Sequence, residues 1–202
     1  MIPKDSPAPA VYRSLGLAAL CETLQESAGC DILELGPVRG DNLEFWARYT
    51  PSVYIADLRS RLPLPVPAEN PDEADPPEPD WGGILDLPEG RRFDVILAWD
   101  LLNYLDLRSA ASLMRYLGRF CRPGTRFFAL MFDQKEMPGE ITIYRIVDPG
   151  RLRYDRLGPA LCACPRHQPR AIAGIMHGFR PLNSFRLQNG IVEYLFSFQE
   201  QN

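Results

Sequence analysis

Two runs of the chain, FDVILAW (Phe93–Trp99) and RFFALMF (Arg126–Phe132), are almost wholly apolar and rich in β-branched or aromatic residues. Strands of that kind have no polar face to offer water, so both of their sides must be covered. The segment between them supplies the cover. From Leu107 to Cys121, the residues Ala110, Leu113, Met114, Leu117, Phe120 and Cys121 fall on one stripe of a helix. RPG (Arg122–Gly124) reads as its stop signal. Strand, helix and strand in that order point to an α/β fold built on a parallel sheet.

The same alternation runs through the rest of the chain. Tyr12 to Ala28 reads as an amphipathic helix carrying Leu15, Leu17, Ala18, Leu20, Cys21 and Leu24. DILEL (Asp31–Leu35) is a short apolar strand ended by Gly36, and NLEFWARY a helix that Asp41 or Asn42 can cap. SVYIAD is a second buried strand ending in Asp57, and Trp81 to Leu85 a weak one. A helix near Arg170 to His177 precedes strands around Pro181–Leu187 and Ile191–Phe198, joined by the hairpin signal Asn189-Gly190. The expected fold is a three-layer, doubly wound, mostly parallel sheet (Rossmann-like) with a C-terminal antiparallel hairpin.

At 202 residues, one domain spanning 1–202 is expected. It carries a Pro/acid-rich loop insertion at about 61–80, where seven prolines lie between Pro63 and Pro79. Prolines remove amide donors, so that stretch is read as an extended surface loop. The net charge of -4 offers no field to a phosphate backbone, and no nucleic-acid partner is expected. No apolar run approaches the roughly 18 residues of a membrane span, so no membrane partner is expected either. The five cysteines form no regular framework, and MIPKDSPAPAVYRS lacks the apolar core of a secretory signal, so the expected location is cytoplasmic.

In sheets of this class, ligands sit beyond the carboxyl ends of the strands. That rule selects Gly36 to Gly40, Asp57, Trp99 to Tyr104 and Phe132 to Glu136. The turn itself, GPVRG, refuses two common ligands. Gly40-Asp41-Asn42 is not the end of a Walker loop, and Val38 breaks the dinucleotide fingerprint. Glu34 beside the turn would serve a pyrophosphate badly. A ligand with an amino group, a carboxylate and a ribose suits the residues better: Glu34 for the amino group, the helix start and Arg39 for the carboxylate, Asp57 for the ribose hydroxyls.

Those features resemble a known family. ILELGPVRG is similar to the first motif, D/E-x-G-x-G-x-G, of class I S-adenosylmethionine-dependent methyltransferases. VYIADL resembles their second-strand motif, ILDLPEGRRFDVILAWDLLNYL their fourth-strand region, LMRYLGRFCRPGTRFFALMF the helix, turn and fifth strand, and HGFRPLNSFRLQNGIVEYLFSF the closing hairpin. The resemblance spans roughly Asp31 to Phe198. It implies S-adenosylmethionine as cofactor, held by Glu34, Gly36, Gly40 and Asp57, with Trp99 lining the cleft. The family's acid for the adenine amino group falls at Gly83, leaving Asp86 as the nearby substitute. Val38 stands where the family has its middle glycine, a position at which a β-branched side chain would meet strain or the methionine moiety.

Methyl transfer asks mainly for alignment and exclusion of water. Asp100 and Tyr104, with Asn103, can orient an acceptor or take its proton, and Asp133 is a second candidate base. The structural alternative is that Asp100 caps the next helix and Tyr104 packs on it. His177 reads as a packed or surface histidine. LCACPRH (Leu161–His167) offers two thiols and an imidazole but lacks a fourth ligand, so no metal is assigned. The acceptor is expected to be a small molecule. The alternative is a catalytically silent methyltransferase fold that binds an unidentified protein partner as a scaffolding subunit, a reading motivated by Val38, Gly83 and the proline-rich loop.

Overall fold

The computed structural model of the chain describes residues 10–25, 29–37, 39–50, 52–58, 61, 78–156 and 158–199. Along the chain, β1 (Ala10–Arg13) leads into α1 (Leu15–Gln25), β2 (Asp31–Glu34), α2 (Gly40–Trp46), β3 (Ser52–Ile55), α3 (Trp81–Leu85) and β4 (Phe93–Trp99). A 3-10 turn (Leu101–Tyr104) and α4 (Leu107–Gly118) follow, then β5 (Cys121–Phe132), β6 (Glu136–Pro138), β7 (Ile143–Asp148), β8 (Arg151–Asp155) and β9 (Leu161–Ala163). The chain closes with α5 (Pro169–Ile175), β10 (Phe179–Arg186) and β11 (Ile191–Phe198).

The central sheet runs β10–β11–β5–β4–β2–β3. Strands β3, β2, β4 and β5 are parallel; β11 lies antiparallel to β5, and β10 antiparallel to β11. One face carries Ile96, Ala98, Phe127 and Ala129 and packs against α3, α4 and α5 through Trp81, Leu113, Leu117 and Ile172. The other carries Val95, Leu97, Phe128 and Leu130 and packs against α1 and α2 through Leu17, Leu20, Phe45 and Trp46. Three layers and a doubly wound, mostly parallel sheet are therefore present, with the antiparallel hairpin at one edge. β4 and the second half of β5 are buried on both faces, which is what their unbroken apolar sequence requires.

Several local expectations change. Tyr12 and Arg13 belong to β1, and α1 begins only at Leu15. Trp81–Leu85 is a helix because Trp81 and Leu85 at i,i+4 share a buried face, with the Trp81 indole donating to Ser112 Oγ of α4 at 3.2 Å. Neither Asp41 nor Asn42 caps α2. Arg39 holds the cap position without a side-chain bond, and Asn42 is buried and turned toward β7. α4 stops at Gly118, before RPG; that tripeptide bulges from β5, whose partners on β4 shift from Cys121↔Phe93 to Arg126↔Val95. Asp106 caps α4, accepting from the amides of Arg108 and Ser109 at 2.9 Å each. Most of the proline-rich loop, residues 62–77, lies outside the described residues, as does Val38.

Two small sheets were not anticipated. β1, β8 and β7 form an antiparallel three-stranded sheet, and β6 pairs with β9. The inner face of the three-stranded sheet, with Tyr12, Leu152, Tyr144 and Ile146, packs into the same core as α1 and α2. Asn42 fastens it there, its side-chain amide donating to Tyr144 O at 3.0 Å and its side-chain carbonyl accepting from Ile146 N at 2.9 Å. A sheet edge is thus joined to a helix by one asparagine that mimics a backbone amide.

Candidate ligand-binding site

The chain leaves β2 to one side to form β3 and later returns on the other side as β4, so the strand order reverses between β2 and β4. A crevice at the carboxyl ends of such strands is where ligands of this architecture bind. Backbone bonds continue past the strand ends at this place. Leu35 N donates to Leu97 O at 3.0 Å, Ala56 N to Glu34 O at 2.9 Å, and Leu58 N to Leu35 O at 3.1 Å. Glu34 and Gly36 are thereby held between the Asp57 segment and Trp99.

Trp99 dominates the spot. Its backbone adopts φ 49°, a left-handed conformation that costs a non-glycine residue roughly 1–3 kcal/mol. The indole N–H donates to Glu34 Oε1. The ring lies so close to the turn that a Cβ on Gly36 would come 2.5 Å from Trp99 Cδ1. It stacks on Tyr144 with centroids 5.5 Å apart and planes at 7°, and meets Phe128 edge-on at 5.8 Å. Only glycine at position 36 is compatible with this packing.

Glu34 is 2% exposed. Besides the indole it accepts from Gly36 N at 3.4 Å, while Oε2 has no partner. Burial pushes its carboxyl up to about 8, against the two hydrogen bonds, and the nearby Asp57 raises it further. A buried carboxyl with one orphan oxygen gains from any positive group brought to it.

Asp100, the residue after Trp99, is fully buried. Its Oδ2 accepts from Thr142 N at 3.0 Å and from the Tyr104 hydroxyl at 3.5 Å, and Oδ1 is unpartnered. Burial raises its carboxyl to about 7. It heads the 3-10 turn without making a side-chain cap bond. The Tyr104 hydroxyl also lies 3.1 Å from the Pro138 carbonyl and 2.6 Å from that of Glu140, acceptors that share its single proton and tie it to the β6 segment. Asn103 bolts the turn to β5, donating to Asp100 O and Leu130 O at 2.8 Å each and accepting from Phe132 N at 2.9 Å.

The remaining candidates lie farther out. Asp133, after β5, pairs with Arg186 at 2.8 Å and Arg166 at 3.8 Å. Gly40 opens α2 at the surface, and Arg39 beside it has a buried Nε without a partner. Asp86 ends α3 in a left-handed conformation, φ 48°, and its carbonyl accepts from the Tyr54 hydroxyl at 3.0 Å. Gly83 lies inside α3, so it does not end a strand. The structure brings together Glu34, Gly36, Trp99 and Asp57, sets Asp100 and Tyr104 side by side, and leaves Asp133 with its arginines. Among the described residues, no three His, Cys, Asp or Glu side chains are grouped to hold a metal ion; the Cys162 and Cys164 thiols donate to the carbonyls of Pro138 and Phe132.

Sequence reasoning missed Tyr12, Tyr144 and Glu193, which crowd the same interior. Glu193 carried a signal: it is the one charged residue in the apolar run IVEYLFSF. Tyr144 carried a weaker one, in the alternation IYRIVD before a Pro-Gly turn at Pro149-Gly150.

No family model matches the chain, and no curated protein matches it in sequence. In three dimensions it is similar to the N-methyltransferase NodS from Bradyrhizobium japonicum WM9, with a TM-score of 0.53 at 13% identity over 92% of this chain and 94% of that one. It is also similar to the 1,6-didemethyltoxoflavin-N1-methyltransferase of Burkholderia thailandensis, solved with 1,6-didemethyltoxoflavin and S-adenosylhomocysteine. There the TM-score is 0.51 at 16% identity, over 92% of this chain and 77% of that one. The likeness shows the fold: this chain has the architecture of these methyltransferases. At these identities the likeness is one of architecture, and the site has to be argued from its own residues.

Proposed function

We propose that the protein is an S-adenosylmethionine-dependent methyltransferase acting on a small-molecule acceptor. The observation that carries this reading is the buried Glu34 carboxyl at the strand-order reversal, near Gly36 and Asp57, whose Oε2 has no partner. The residues suit the cofactor's parts. Glu34 Oε2 is an acceptor waiting for an ammonium group, Gly36 leaves the backbone bare, and Asp57 can accept from ribose hydroxyls. When bound, S-adenosylmethionine supplies an electrophilic methyl group on a positively charged sulfur.

The protein's own residues have three tasks. Glu34 and Asp57 orient the bound molecule; Trp99 and Tyr144 exclude water from the crevice; Asp100 can take a proton through Oδ1. Trp99 has to move only if the ligand's amino group is to take both oxygens of the carboxyl, because its indole now donates to Oε1 and Oε2 is the one without a partner. The same contact favours a second reading, in which the crevice stays filled by Trp99 and the fold serves as a silent scaffold.

Calorimetric titration with S-adenosylmethionine and S-adenosylhomocysteine separates the two. The enzyme reading expects saturable binding of both, weakened about tenfold or more by Asp57→Ala. No heat and no thermal stabilisation at millimolar ligand would establish the scaffold instead.

A further inference from the structure

Three non-glycine residues of the described chain have a positive φ, and two of them, Asp86 and Arg166, are exposed residues of the kind that turns accept. Trp99 is the third, and it is buried at the end of a central strand. A strained residue persists only where its surroundings over-determine it, and such residues gather at switch regions. The surroundings do so here. On one side Leu97 O accepts from Leu35 N at 3.0 Å, and on the other Asp100 O accepts from the Asn103 side chain at 2.8 Å. Between these pins the pairing with β5 slips. Leu97 stands opposite Phe128 and Trp99 opposite Ala129, so β4 takes two steps while β5 takes one. A bulge of this kind re-aims a side chain. What it aims is an indole set into the space that a side chain at position 36 would fill.

With the backbone pinned, the freedom left to Trp99 is in its side-chain torsions. The ring has three holds: the N–H bond to Glu34 Oε1, the parallel stack on Tyr144 and the edge contact with Phe128. Tyr144 is the hold that comes from outside the central sheet. It is fixed in turn by α2, because Asn42 donates to Tyr144 O at 3.0 Å and accepts from Ile146 N at 2.9 Å. α2 begins at Gly40, the last residue of the glycine turn, so the partner that stacks on the indole is tied to the element that follows the turn. The indole thus covers the two groups assigned above to a ligand, the Gly36 backbone and one oxygen of Glu34. It offers that carboxyl one donor and no charge. An ammonium group offers three donors and a positive charge, so a ligand that reaches the unpartnered Oε2 gains more from Oε1 than the indole does.

We propose that the Trp99 indole is a gate and Tyr144 its latch. In the conformation described, the gate is closed on Gly36 and Glu34; it opens when the ring turns off Tyr144 and leaves both oxygens of Glu34 to a ligand. The identity of that ligand rests on the methyltransferase reading; the motion of the ring does not. The free chain exchanges between a closed majority and an open minority, and the open form is the one that binds tightly.

The test labels the full chain with 5-fluorotryptophan. The three tryptophans, Trp46, Trp81 and Trp99, give three fluorine resonances, and Trp99→Phe assigns the last by its loss. In the free wild type, the Trp99 resonance is expected to show microsecond-to-millisecond exchange that the other two lack. It is expected to shift when S-adenosylhomocysteine is added to saturation. Tyr144→Leu removes the stacked ring and is expected to raise the association rate of S-adenosylhomocysteine about tenfold, by populating the open form. Tyr144→Phe keeps the ring and should stay within about twofold of the wild type. A tyrosine that only packs would lower stability in the leucine variant without speeding association, and that result counts against the latch. The wild-type spectra remain decisive if the leucine variant fails to fold. A Trp99 resonance that neither exchanges nor shifts while S-adenosylhomocysteine binds would overturn the gate and spare the methyltransferase reading. Exchange at Trp99 with no S-adenosylhomocysteine binding keeps the gate and removes the cofactor assigned to it. Neither exchange nor binding overturns both.

Discussion

Trp99 joins three facts at one residue: a left-handed backbone, a hydrogen bond to a buried carboxyl, and contact with a glycine that admits no side chain. Replacing the indole by a phenyl ring tests what it does. Trp99→Phe takes the indole donor from Glu34 Oε1, leaving it only the Gly36 amide, and is expected to cost about 1–3 kcal/mol in urea unfolding. It should also raise affinity for S-adenosylhomocysteine, since the ligand no longer displaces a donor; unchanged or weaker binding would show that the indole is not in the way. The carboxyls predict a pH dependence. Glu34 at about 8 and Asp100 at about 7 hold their protons more tightly in the folded chain than in the unfolded one. Their contribution is fully present below the ordinary carboxylate range and is lost as pH rises through about 7 to 8. Unfolding free energy without ligand should therefore be higher at pH 5.5 than at pH 8.5, and Asp100→Asn should flatten that slope.

At the scale of elements, much of the central sheet could be read from the chain because its strands are either apolar throughout or joined by an Asn-Gly turn. FDVILAW, DILEL and the C-terminal pair fall within a residue or two of β4, β2, β10 and β11, while RFFALMF is only the second half of β5, which already begins at Cys121. The misreadings have physical causes. Trp81–Leu85 contains two glycines that discourage a helix, and only packing against α4 makes it one. β1 was absorbed into α1 because four residues are too few to show a period of two; their strand conformation depends on β8, some 140 positions away. Of the site, Glu34, Asp57, Trp99 and Asp100 were legible as strand-end residues. Tyr12 was not, since its place depends on that same long-range pairing. The asparagines that join elements give a further test. Asn103→Ala strips partners from the Asp100 and Leu130 carbonyls and the Phe132 amide. A loss of about 2–4 kcal/mol is expected in chemical denaturation, from several buried groups left unpaired. A change under 1 kcal/mol would show that water replaces the side chain.

For the whole molecule, the two layers against the sheet do different work. The α3, α4 and α5 layer is an apolar cover, with Leu113, Met114 and Leu117 fully buried. The opposite layer mixes α1 and α2 with the three-stranded sheet and contains the buried carboxyls. Burying acids under tyrosines and a tryptophan makes this half the costly one in the absence of a ligand, because desolvated polar groups without partners destabilise. The described helices include none long and apolar enough to cross a membrane.

The bond from Gly16 N to Glu193 also has a meaning in time. The two residues are 177 positions apart, so the first turn of α1 receives its carboxyl partner only from β11. At typical translation speeds, that interval is on the order of ten to thirty seconds. Throughout it, the Gly16 amide is without this acceptor, and the bond that joins α1 to β11 can form only once β11 has been made.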